Sequence, residues 1–547
     1  MSLATPTVLS EGQVMDPTFR LLSLEVQREI QRIPWAELRL IDGDVAAKKF
    51  PVTDSDFFAP GKEIELKLRY EGKGGEDVTV FKGVVVRKTV ETHSAGATLV
   101  VGLKDPAVKL TGSRHSAVFR DRTDHEVIAD LVQGAGLEAG PMVKDTEPKH
   151  RELVQYHCTD WDFILSRAEA QGLWVLVVDG KVGLHRPDPG AAPDRVLEWG
   201  TSILGFEMDA SAEHPFAAVQ SVAWNPKAQT LTPPAEAKDF QSSQGAFDVD
   251  GIAERLGTAS RRLSHPVPMS PEELAPWARG SLTRSRLAML RGRIAVPGNG
   301  AFQVLQTVEL DGFGAHWQGK AQITGLRHRL DGGGWRTDLQ FGVDPEAFSE
   351  RQKIRDAPAA GLLPAVRGPQ IGVVAPHEDD PEQEFRLKVL LPGIHEEEGH
   401  VWARLAVPDA GPARGFWGRP QPGDEVVLGF LSDDPRHPVI LGSLYSSKNA
   451  PPKVLSGADG KDRVLGLVTP KGTALTFTDA DQAKVELSTK AGKRILVDDR
   501  EGKLEVADEH GSSILLTRDG VVIKSAKDLK IEAPGQVTIQ GARVDVK

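Results

Sequence analysis

Residues 475–546 carry apolar side chains in pairs, with the two members of a pair two positions apart and a short polar break before the next pair. Because side chains two positions apart in a strand point to the same face, each pair predicts a short strand with one apolar face. The breaks, rich in Gly, Asp and Lys, predict corners between the strands. The pairs are Leu475/Phe477, Val485/Leu487, Ile495/Val497, Leu504/Val506, Ile514/Leu516, Val521/Ile523, Leu529/Ile531, Val537/Ile539 and Val544/Val546.

This repetition favours an extended ladder of strands over an enclosed domain. The first residues of successive pairs are separated by 10, 10, 9, 10, 7, 8, 8 and 7 positions, a pattern typical of a β-solenoid. A thin ladder with one wet apolar face is unstable alone, whereas several copies around one axis would cover that face and pair strand edges between chains. We therefore predict an intertwined, needle-like oligomer over residues 451–547. The alternative is an ordinary β-sandwich, whose strands are usually longer.

The segment before residue 365 predicts strands interrupted by three capped helices. Thr123 and Glu126 form a capping box for the first helix, and Thr159 caps the second. Ser270 and Glu273 open the third, with a proline at its first position. Strands are expected at residues 37–41, 64–69, 78–89, 97–103, 173–178 and 321–329.

A compact block follows a linker that Pro364, Gly368 and Pro369 punctuate. Between Gln370 and Asn449, five strand-like runs are separated by Gly, Pro and Asp turns. Five short strands with such turns suit a small closed barrel of the OB type. The sequence thus predicts a mainly β chain with a few helices, in three segments: 1–365, 366–450 and 451–547.

Composition narrows the classes of partner and compartment. The 547 residues carry a net charge of −11, which argues against general binding to nucleic acid or acidic membranes. The one cysteine, Cys158, excludes an intrachain disulfide. The N-terminus lacks a basic region followed by an apolar one, so we expect no cleaved signal peptide, and no run is apolar enough to span a membrane.

Three sets of residues invite a catalytic or metal-binding interpretation, and each has a simpler one. His395 and His400 are five rather than four positions apart and lie near glycines, so an acidic surface loop is expected instead of a zinc helix. His157, Cys158 and Asp160 stand in a strand pattern, where neighbouring side chains point to opposite faces, and a half-buried cysteine is expected. The third set, Asp433, Asp434 and His437, fits a turn between two strands.

Barrels of the OB type often bind nucleic acid, but the charge of this one argues against that function. Residues 370–449 contain thirteen acidic and seven basic side chains, a net charge of about −6 that repels phosphate. We find no phosphate-binding loop, nucleophile elbow or dinucleotide fingerprint, and predict no catalytic residue, cofactor or metal in this chain.

The motifs of the predicted barrel resemble those of a known family. WARL (402–405), PGDEVVLGFL (422–431), DPRHPVILGSLY (434–445) and SSKNAPP (446–452) look like the OB barrel of the VgrG and phage-baseplate spike family. FRDRTDHEVIADL (119–131) and ELVQYHCTDWDFILSRAEAQGLWVLV (152–177) resemble the hub of the same family. Three motifs look more like those of spikes from extracellular contractile injection systems than those of type VI secretion: IPWAELRLIDGD (33–44), DFFAPGKEIEL (56–66) and DPRHPVILG (434–442).

The resemblance implies a non-enzymatic homotrimer at the centre of a contractile injection system. The hub of β-barrel domains would contact the inner tube protein and baseplate proteins, and the tail would form a triple-stranded β-helix, or β-prism, that punctures the target membrane. A PAAR-type tip protein would bind Val544, Asp545, Val546 and Lys547, and cargo effectors are further partners that the resemblance implies. The particle would assemble in the cytoplasm and act as an extracellular or cell-attached machine.

The predicted trimer core of the needle follows from the pairs. Two features depart from the family pattern: Asp409 stands where many relatives carry an aromatic residue, and a strict Gly-bearing eight-residue repeat is absent. The alternatives are a type VI VgrG tip, a spike with cell-wall hydrolase activity and a receptor-binding fibre. The expected core residues are Leu475, Phe477, Val485, Leu487, Ile495, Val497, Leu504, Val506, Ile514, Leu516, Val521, Ile523, Leu529, Ile531, Val537 and Ile539.

Overall fold

The computed structural model of the chain describes residues 3–71, 76–93, 96–213, 215–240, 244–350, 358–455, 464–479 and 482–546. The chain divides into two units, residues 1–356 and 357–547. The boundaries of the three predicted segments, 1–365, 366–450 and 451–547, stay predictions.

In its described residues the first unit is mainly β, as the sequence predicts, and it contains five α-helices, three of which are the predicted ones. The helices are α1 Pro51–Asp54, α2 Asp124–Gly134, α3 Asp160–Ala170, α4 Val249–Arg255 and α5 Pro271–Met289. The strands are β1 Ala4–Ser10, β2 Gln13–Val14, β3 Arg20–Glu29, β4 Trp35–Asp42, β5 Glu63–Tyr70, β6 Val78–His93, β7 Gly96–Lys104, β8 Arg114–Arg122, β9 Glu138–Met142, β10 His150–Thr159, β11 Trp174–Val178, β12 Lys181–His185, β13 Arg195–Glu198, β14 Gly205–Ala210, β15 Ala218–Asn225, β16 Thr230–Leu231, β17 Ala235–Ala237, β18 Ser260–His265, β19 Leu290–Pro297, β20 Thr307–Asp311, β21 Gly319–Asp331 and β22 Gly334–Phe341.

Helix caps fix the starts of the three predicted helices. The backbone N–H of Thr123 donates to the Glu126 carboxylate at 2.9 Å, and that of Ser270 donates to Glu273 at 3.0 Å, so both capping boxes form. Thr159 accepts from the backbone N–H of Asp162 at 3.1 Å. The predictions of these helices are confirmed, although α5 extends further than its sequence signal.

A sheet of thirteen strands forms the framework of this unit. Most of it follows the order β14-β19-β22-β21-β3-β4-β7-β6-β5-β1-β2, while β13 and β20 join through β21. Alternate side chains of β3 to β7 bury one apolar cluster, and β19 to β22 contribute to a second. Helices α2 and α3 pack with β11 and β12 around a third. This burial stabilises the unit chiefly through the apolar area that it removes from water.

The second unit begins with the predicted barrel. The closed barrel follows the order β23-β24-β25-β29-β28 around a small apolar core, which confirms the five-stranded prediction. Its strands are β23 Gln370–Val374, β24 Leu387–Leu390, β25 His400–Leu405, β28 Glu425–Phe430 and β29 Pro438–Ser443, with a short hairpin of β26 Ala410–Gly411 and β27 Arg414–Gly415.

The tail forms one seven-stranded antiparallel sheet in which each strand pairs with its successor. Its strands are β30 Val464–Val468, β31 Ala474–Thr478, β32 Lys484–Ser488, β33 Arg494–Asp498, β34 Lys503–Ala507, β35 Ser513–Thr517 and β36 Gly520–Lys524. Six of the nine predicted pairs lie in β31 to β36, as expected.

The pairing of this sheet differs from the intertwined arrangement that the sequence suggested. Strands β31 to β35 each use both edges for neighbours of their own chain. The expectation that these strands pair with other chains is therefore wrong. The physical reason is that turns of two to five residues return the chain directly beside the strand that it has just left.

The last three pairs differ in another way. Leu529/Ile531, Val537/Ile539 and Val544/Val546 lie in residues 525–546, which contain no strand in the single chain. The prediction that these pairs form strands is not met there, because a strand requires a hydrogen-bonded neighbour and the chain supplies none beyond β36. Lys547 lies outside the described residues.

Candidate functional site

The apolar pairs of the tail align into two continuous ladders on one face of the sheet. Leu475 lies opposite Leu487, and Phe477 lies opposite Val485. The same register continues through the remaining strands, because each turn brings the next pair directly beside the last. One ladder is Phe477, Val485, Val497, Leu504, Leu516 and Val521, and the other is Leu475, Leu487, Ile495, Val506, Ile514 and Ile523.

The structure adds a first rung that the sequence analysis missed. Leu465 lies opposite Phe477 and Leu467 opposite Leu475, so β30 extends both ladders by one pair. The signal was present, since these residues also stand two positions apart and ten positions before the next pair. This pair was not recognised because Gly466 lies between its two members and a stretch that contains Gly and Asp precedes it.

This apolar face lies open to solvent in the single chain. Ile495 is 46% exposed and Ile514 is 43% exposed, while Val521 reaches 64%. A groove of about 500 Å³ opens on the face and is lined by the Leu475 ladder from Leu487 to Ile523 together with Leu529. A contiguous apolar surface of this length is typical of an interaction surface rather than of a monomer's exterior.

The opposite face of the sheet is mixed and better covered. Leu496 is 3% exposed, and Thr476 is 8% exposed. Arg494 donates to Glu505 at 2.8 Å across the strands, and Lys484 lies 3.0 Å from Glu486. Charged pairs of this kind suit a face that remains in water, and they distinguish this mixed face from the apolar one.

A recurring turn fixes the register of this sheet. Thr469 and Thr489 each accept, through the side-chain oxygen, from the backbone N–H four residues later, and Asp508 does the same from Ser512. Each of these turns places a glycine at positive φ, as at Gly492 with φ of +98°. Only glycine adopts that conformation without steric cost, so these positions determine where the chain reverses.

A second candidate site is a buried polar cluster in the first unit. Asp124 at the start of α2 is 1% exposed, and its carboxylate accepts from Arg167 Nε at 2.6 Å and from Gln171 Nε2 at 2.7 Å. His150 Nε2 lies 3.2 Å from the same carboxylate. Burial acts to raise the pKa of Asp124, but the hydrogen bonds from His150 and Arg167 and the charge of Arg167 outweigh it and lower the pKa to about 2. This cluster joins α2, α3 and β10.

Two of the sets that invited a catalytic or metal-binding interpretation lie in turns or at a strand end. His395 belongs to an exposed turn, where its Nδ1 accepts from the backbone N–H of Glu398 at 3.0 Å, whereas His400 begins β25. The absence of a helix there agrees with the expected loop. At the third set, Arg436 holds Asp434 with Nη2 to Oδ2 at 2.6 Å, and these hydrogen bonds lower the pKa of Asp434 to about 2.

Cys158 has different neighbours from those that its sequence suggested. A bulge in β10 places Cys158 opposite His115 of β8, and His115 Nε2 lies 2.7 Å from Asp160. Burial raises the pKa of the Cys158 thiol, as do the nearby carboxylates of Asp162 and Asp160. The cysteine is half-buried, as predicted, and its environment favours the thiol over the nucleophilic thiolate.

Two features are absent from the described ranges of the chain. Within them, no group of three or more His, Cys, Asp or Glu side chains is arranged to hold a metal ion. None of the helices in the described part of the chain combines the length and apolarity that a bilayer-spanning helix requires.

Comparison with known proteins relates both units to injection machines. Residues 1–332 match the family described as the Alg8 N-terminal domain, and residues 370–445 match the type VI secretion system/phage-baseplate injector OB domain. The type VI secretion system spike protein VgrG1a of Pseudomonas aeruginosa is 23% identical over 77% of this chain and 67% of its own length. The actin cross-linking toxin VgrG1 of Vibrio cholerae is 24% identical over 64% of this chain and 33% of its own length.

The 43 kDa tail protein of prophage MuSo2 from Shewanella oneidensis has a similar structure, with a TM-score of 0.48 and 13% identity over 63% of this chain and 99% of that one. This chain spans between about one third and two thirds of the length of the curated relatives named above. The VgrG relatives and the injector OB domain confirm the resemblance to the VgrG and phage-baseplate spike proteins. The chain therefore belongs to the family that the Alg8 N-terminal domain defines, and it joins that domain to an injector OB domain.

Proposed function

We propose that this chain is the central spike of a contractile injection system, in which three copies join an inner tube to a membrane-puncturing needle. The observation that carries the proposal is the open apolar face of the tail, with two ladders of side chains along seven strands. The family relationship supports the same machine. Extracellular injection systems remain our preferred class, and a type VI tip is the alternative.

The dimensions of the apolar face suit a prism. The band is two side chains wide, about 7 Å across, and neighbouring strands are spaced about 4.8 Å apart along it. Three such bands that face one axis would enclose a narrow dry core and leave the ion-paired faces outside, in water. The choice of three copies rests on the resemblance to trimeric spikes.

The proposed function is mechanical. In β31 to β35 both backbone edges are already satisfied within the chain, so the sheet resists shear through its ladder of hydrogen bonds. A sheath that contracts would push this slender needle forward and concentrate force on a small area of membrane. We propose the inner tube protein, baseplate proteins and cargo effectors as partners, with residues 1–365 as the tube-docking hub.

The tip is proposed to bind a PAAR-type protein. Val544 is 53% exposed and Val546 is 93% exposed, and Arg543 Nε donates to Asp545 at 2.9 Å between them. Three copies would present a small apolar platform ringed by charge, which a conical cap could cover. We also propose that the chain assembles in the cytoplasm before it joins an extracellular or cell-attached particle.

The proposal predicts a trimer that depends on the tail. Light scattering of the full chain should give a mass near three times 59.2 kDa. A truncation that ends at Asn449 lacks the whole apolar face and should dissociate wholly or in part. A monomeric full-length protein at micromolar concentration would overturn the proposal and leave the tail as an ordinary β domain.

We further propose that the chain has no enzymatic activity. Glycan hydrolysis requires two carboxylic groups across a cleft, and the acidic residues discussed above pair with Arg or close turns instead. Purified protein incubated with peptidoglycan should release no soluble fragments, with lysozyme as the positive control. Release that survives repurification would instead support the cell-wall hydrolase alternative.

A further inference from the structure

The last described segment of the first unit, residues 342–350, turns from the large sheet onto the end of helix α5. Gly342 follows β22 directly and has a φ of +76°. A Cβ at this glycine would come within 2.9 Å of the carbonyl oxygen of Leu287, so the turn requires glycine. The backbone N–H of Val343 then donates to the same carbonyl at 3.3 Å. We call residues 342–350 the exit segment, because the second unit begins soon after it, at residue 357.

One carboxylate fastens the exit segment to the helices. Glu169 of α3 accepts from the backbone N–H of Phe348 at 3.0 Å and, through its other oxygen, from that of Ser349 at 3.3 Å. The same carboxylate pairs with Arg284 of α5, and a second nitrogen of Arg284 donates to the carbonyl oxygen of Glu346 at 3.2 Å. The two charged side chains are only 12% and 17% exposed. Hydrogen bonds of ionised groups are roughly twice as strong as neutral ones. We call this ion pair with its three backbone bonds the anchor.

The anchor stands on closely packed helices. Gly172, just after α3, lies against Gly280 of α5, and a Cβ at Gly280 would come within 2.7 Å of the Gly172 Cα. The two backbones therefore touch, and no side chain fits between them. The ring of Phe348 packs against the apolar cluster that α2 and α3 form with β11 and β12. The parts to which the exit segment is fastened are thus held in fixed positions by their own packing.

The bonds of the anchor lie close to the point where the chain leaves the first unit. All three backbone bonds fall within residues 346–349, and the described part of this unit ends at residue 350. A pull on residue 350 therefore loads these bonds before it reaches β22. Strand β22 is paired on both sides, with β19 and β21, so its release would open the large sheet. The anchor protects the sheet from being opened from this end.

We propose that Glu169 and Arg284 form a mechanical anchor that bears the force acting between the two units of the chain. The covalent connection between the units starts at the end of the exit segment, so a force that one unit exerts on the other along the chain acts first on the anchor. Sheath contraction would supply that force, and in this respect the inference rests on the proposed function. The anchor itself belongs to the single chain and does not require the trimer.

A contact that served only the stability of the unit would behave differently. Its loss would lower the free energy of unfolding of the whole unit, while the exit segment would still open together with the sheet. The loss of an anchor instead lets the exit segment open first, in a unit that is otherwise folded. The order of opening under force therefore distinguishes the two roles.

Pulling on single molecules of the full chain tests this order, in a Cys158→Ser background. Arg279→Cys on α5 and Ser443→Cys on β29 are exposed attachment points, one in each unit. Co-expression with an excess of chain without these cysteines gives assemblies in which one copy carries both. Glu169→Gln removes the charge that compensates Arg284 and replaces one acceptor oxygen by an amide donor. This variant should release the exit segment at a lower force than the parent, as a separate step of up to about 30 Å for nine residues.

A matched control and a second variant complete the experiment. Glu138→Gln also removes a carboxylate that pairs with a base, since Glu138 lies 2.9 Å from Lys181, but both side chains are more than half exposed and neither contacts the exit segment. It should open like the parent. The amide protons of Phe348 and Ser349 should exchange about tenfold faster or more in Glu169→Gln alone. If that variant does not fold, Ser349→Pro removes one donor without changing α3 and should give the same early step.

The outcomes separate this inference from the proposed function. An opening force for Glu169→Gln equal to that of the parent overturns the inference, as does an early step that Glu138→Gln shares or an unchanged exchange of the two amides. Each of these results leaves the trimeric spike intact. A full-length chain that is monomeric by light scattering defeats the proposed function, whereas the early step can still be measured on the single chain.

Discussion

Replacing Ile514 and Ile523 together by Asp is expected to abolish the trimer. The two side chains lie directly opposite each other in β35 and β36, the last two strands of the open apolar face. Each is more than 40% exposed in the single chain, so a monomer tolerates the change. In the proposed trimer the same positions would face the axis, where six unpaired carboxylates would lose their hydration at a cost of several kcal/mol each.

A matched variant distinguishes this effect from damage to the sheet. Leu515→Asp with Val522→Asp changes the neighbouring pair, which is also directly opposite in register but faces the other side of the sheet. Both double variants place two like charges across β35 and β36. Leu515→Asp also lies opposite Glu505 of β34, so the control carries at least as much local repulsion as the test variant. Light scattering should give a single-chain mass for the first variant and a trimer mass for the second. A trimer from both would show that the ladders do not face the axis.

The sequence predicted which side chains form the apolar face of the tail better than it predicted which strands pair with one another. A spacing of two positions determines which side chains share a face, so the pairs at Leu475 to Ile523 were found without the structure. The turns decide whether the adjacent strand comes from the same chain or from another one. The side-chain oxygens of Thr489 and Asp508 close these turns, and the periodicity of apolar residues gives no information about them. The predicted intertwining therefore failed where hairpins form.

The same contrast appears in the first unit. The capping boxes at Thr123 and Ser270 are local patterns of four residues, and they predicted where helices begin. The cluster around Asp124 was not predicted, because the partners of Asp124 lie between 26 and 47 positions away, in β10 and at the end of α3. Long-range polar contacts leave no periodic signal in one sequence, whereas helix caps and strand faces do.

The second large effect is expected at that cluster. Asp124→Asn keeps the size of the side chain but removes the charge that compensates Arg167, and it replaces an acceptor oxygen by an amide donor. Breaking a buried ion pair in this way costs about 3–5 kcal/mol. Asp130→Asn is the matched control on the same helix, because Asp130 lies 3.5 Å from Arg122 and both side chains are about half exposed. Its loss should stay below about 1 kcal/mol.

The pH dependence of the stability tests whether the charged form of Asp124 is the one that stabilises the folded chain. The pKa of Asp124 is about 2 in the folded chain and about 3.9 in an unfolded one, so the folded state favours the carboxylate. The resulting stability, about 2–3 kcal/mol, is present above pH 4 and is lost as the pH falls towards 2. Urea unfolding of the full chain, followed by Trp fluorescence from pH 6 to pH 2.5, should show this loss for the parent and for Asp130→Asn. The Asp124→Asn variant should lack that part of the acid destabilisation, and an unchanged slope would mean that Asp124 does not carry the stabilising charge of the cluster.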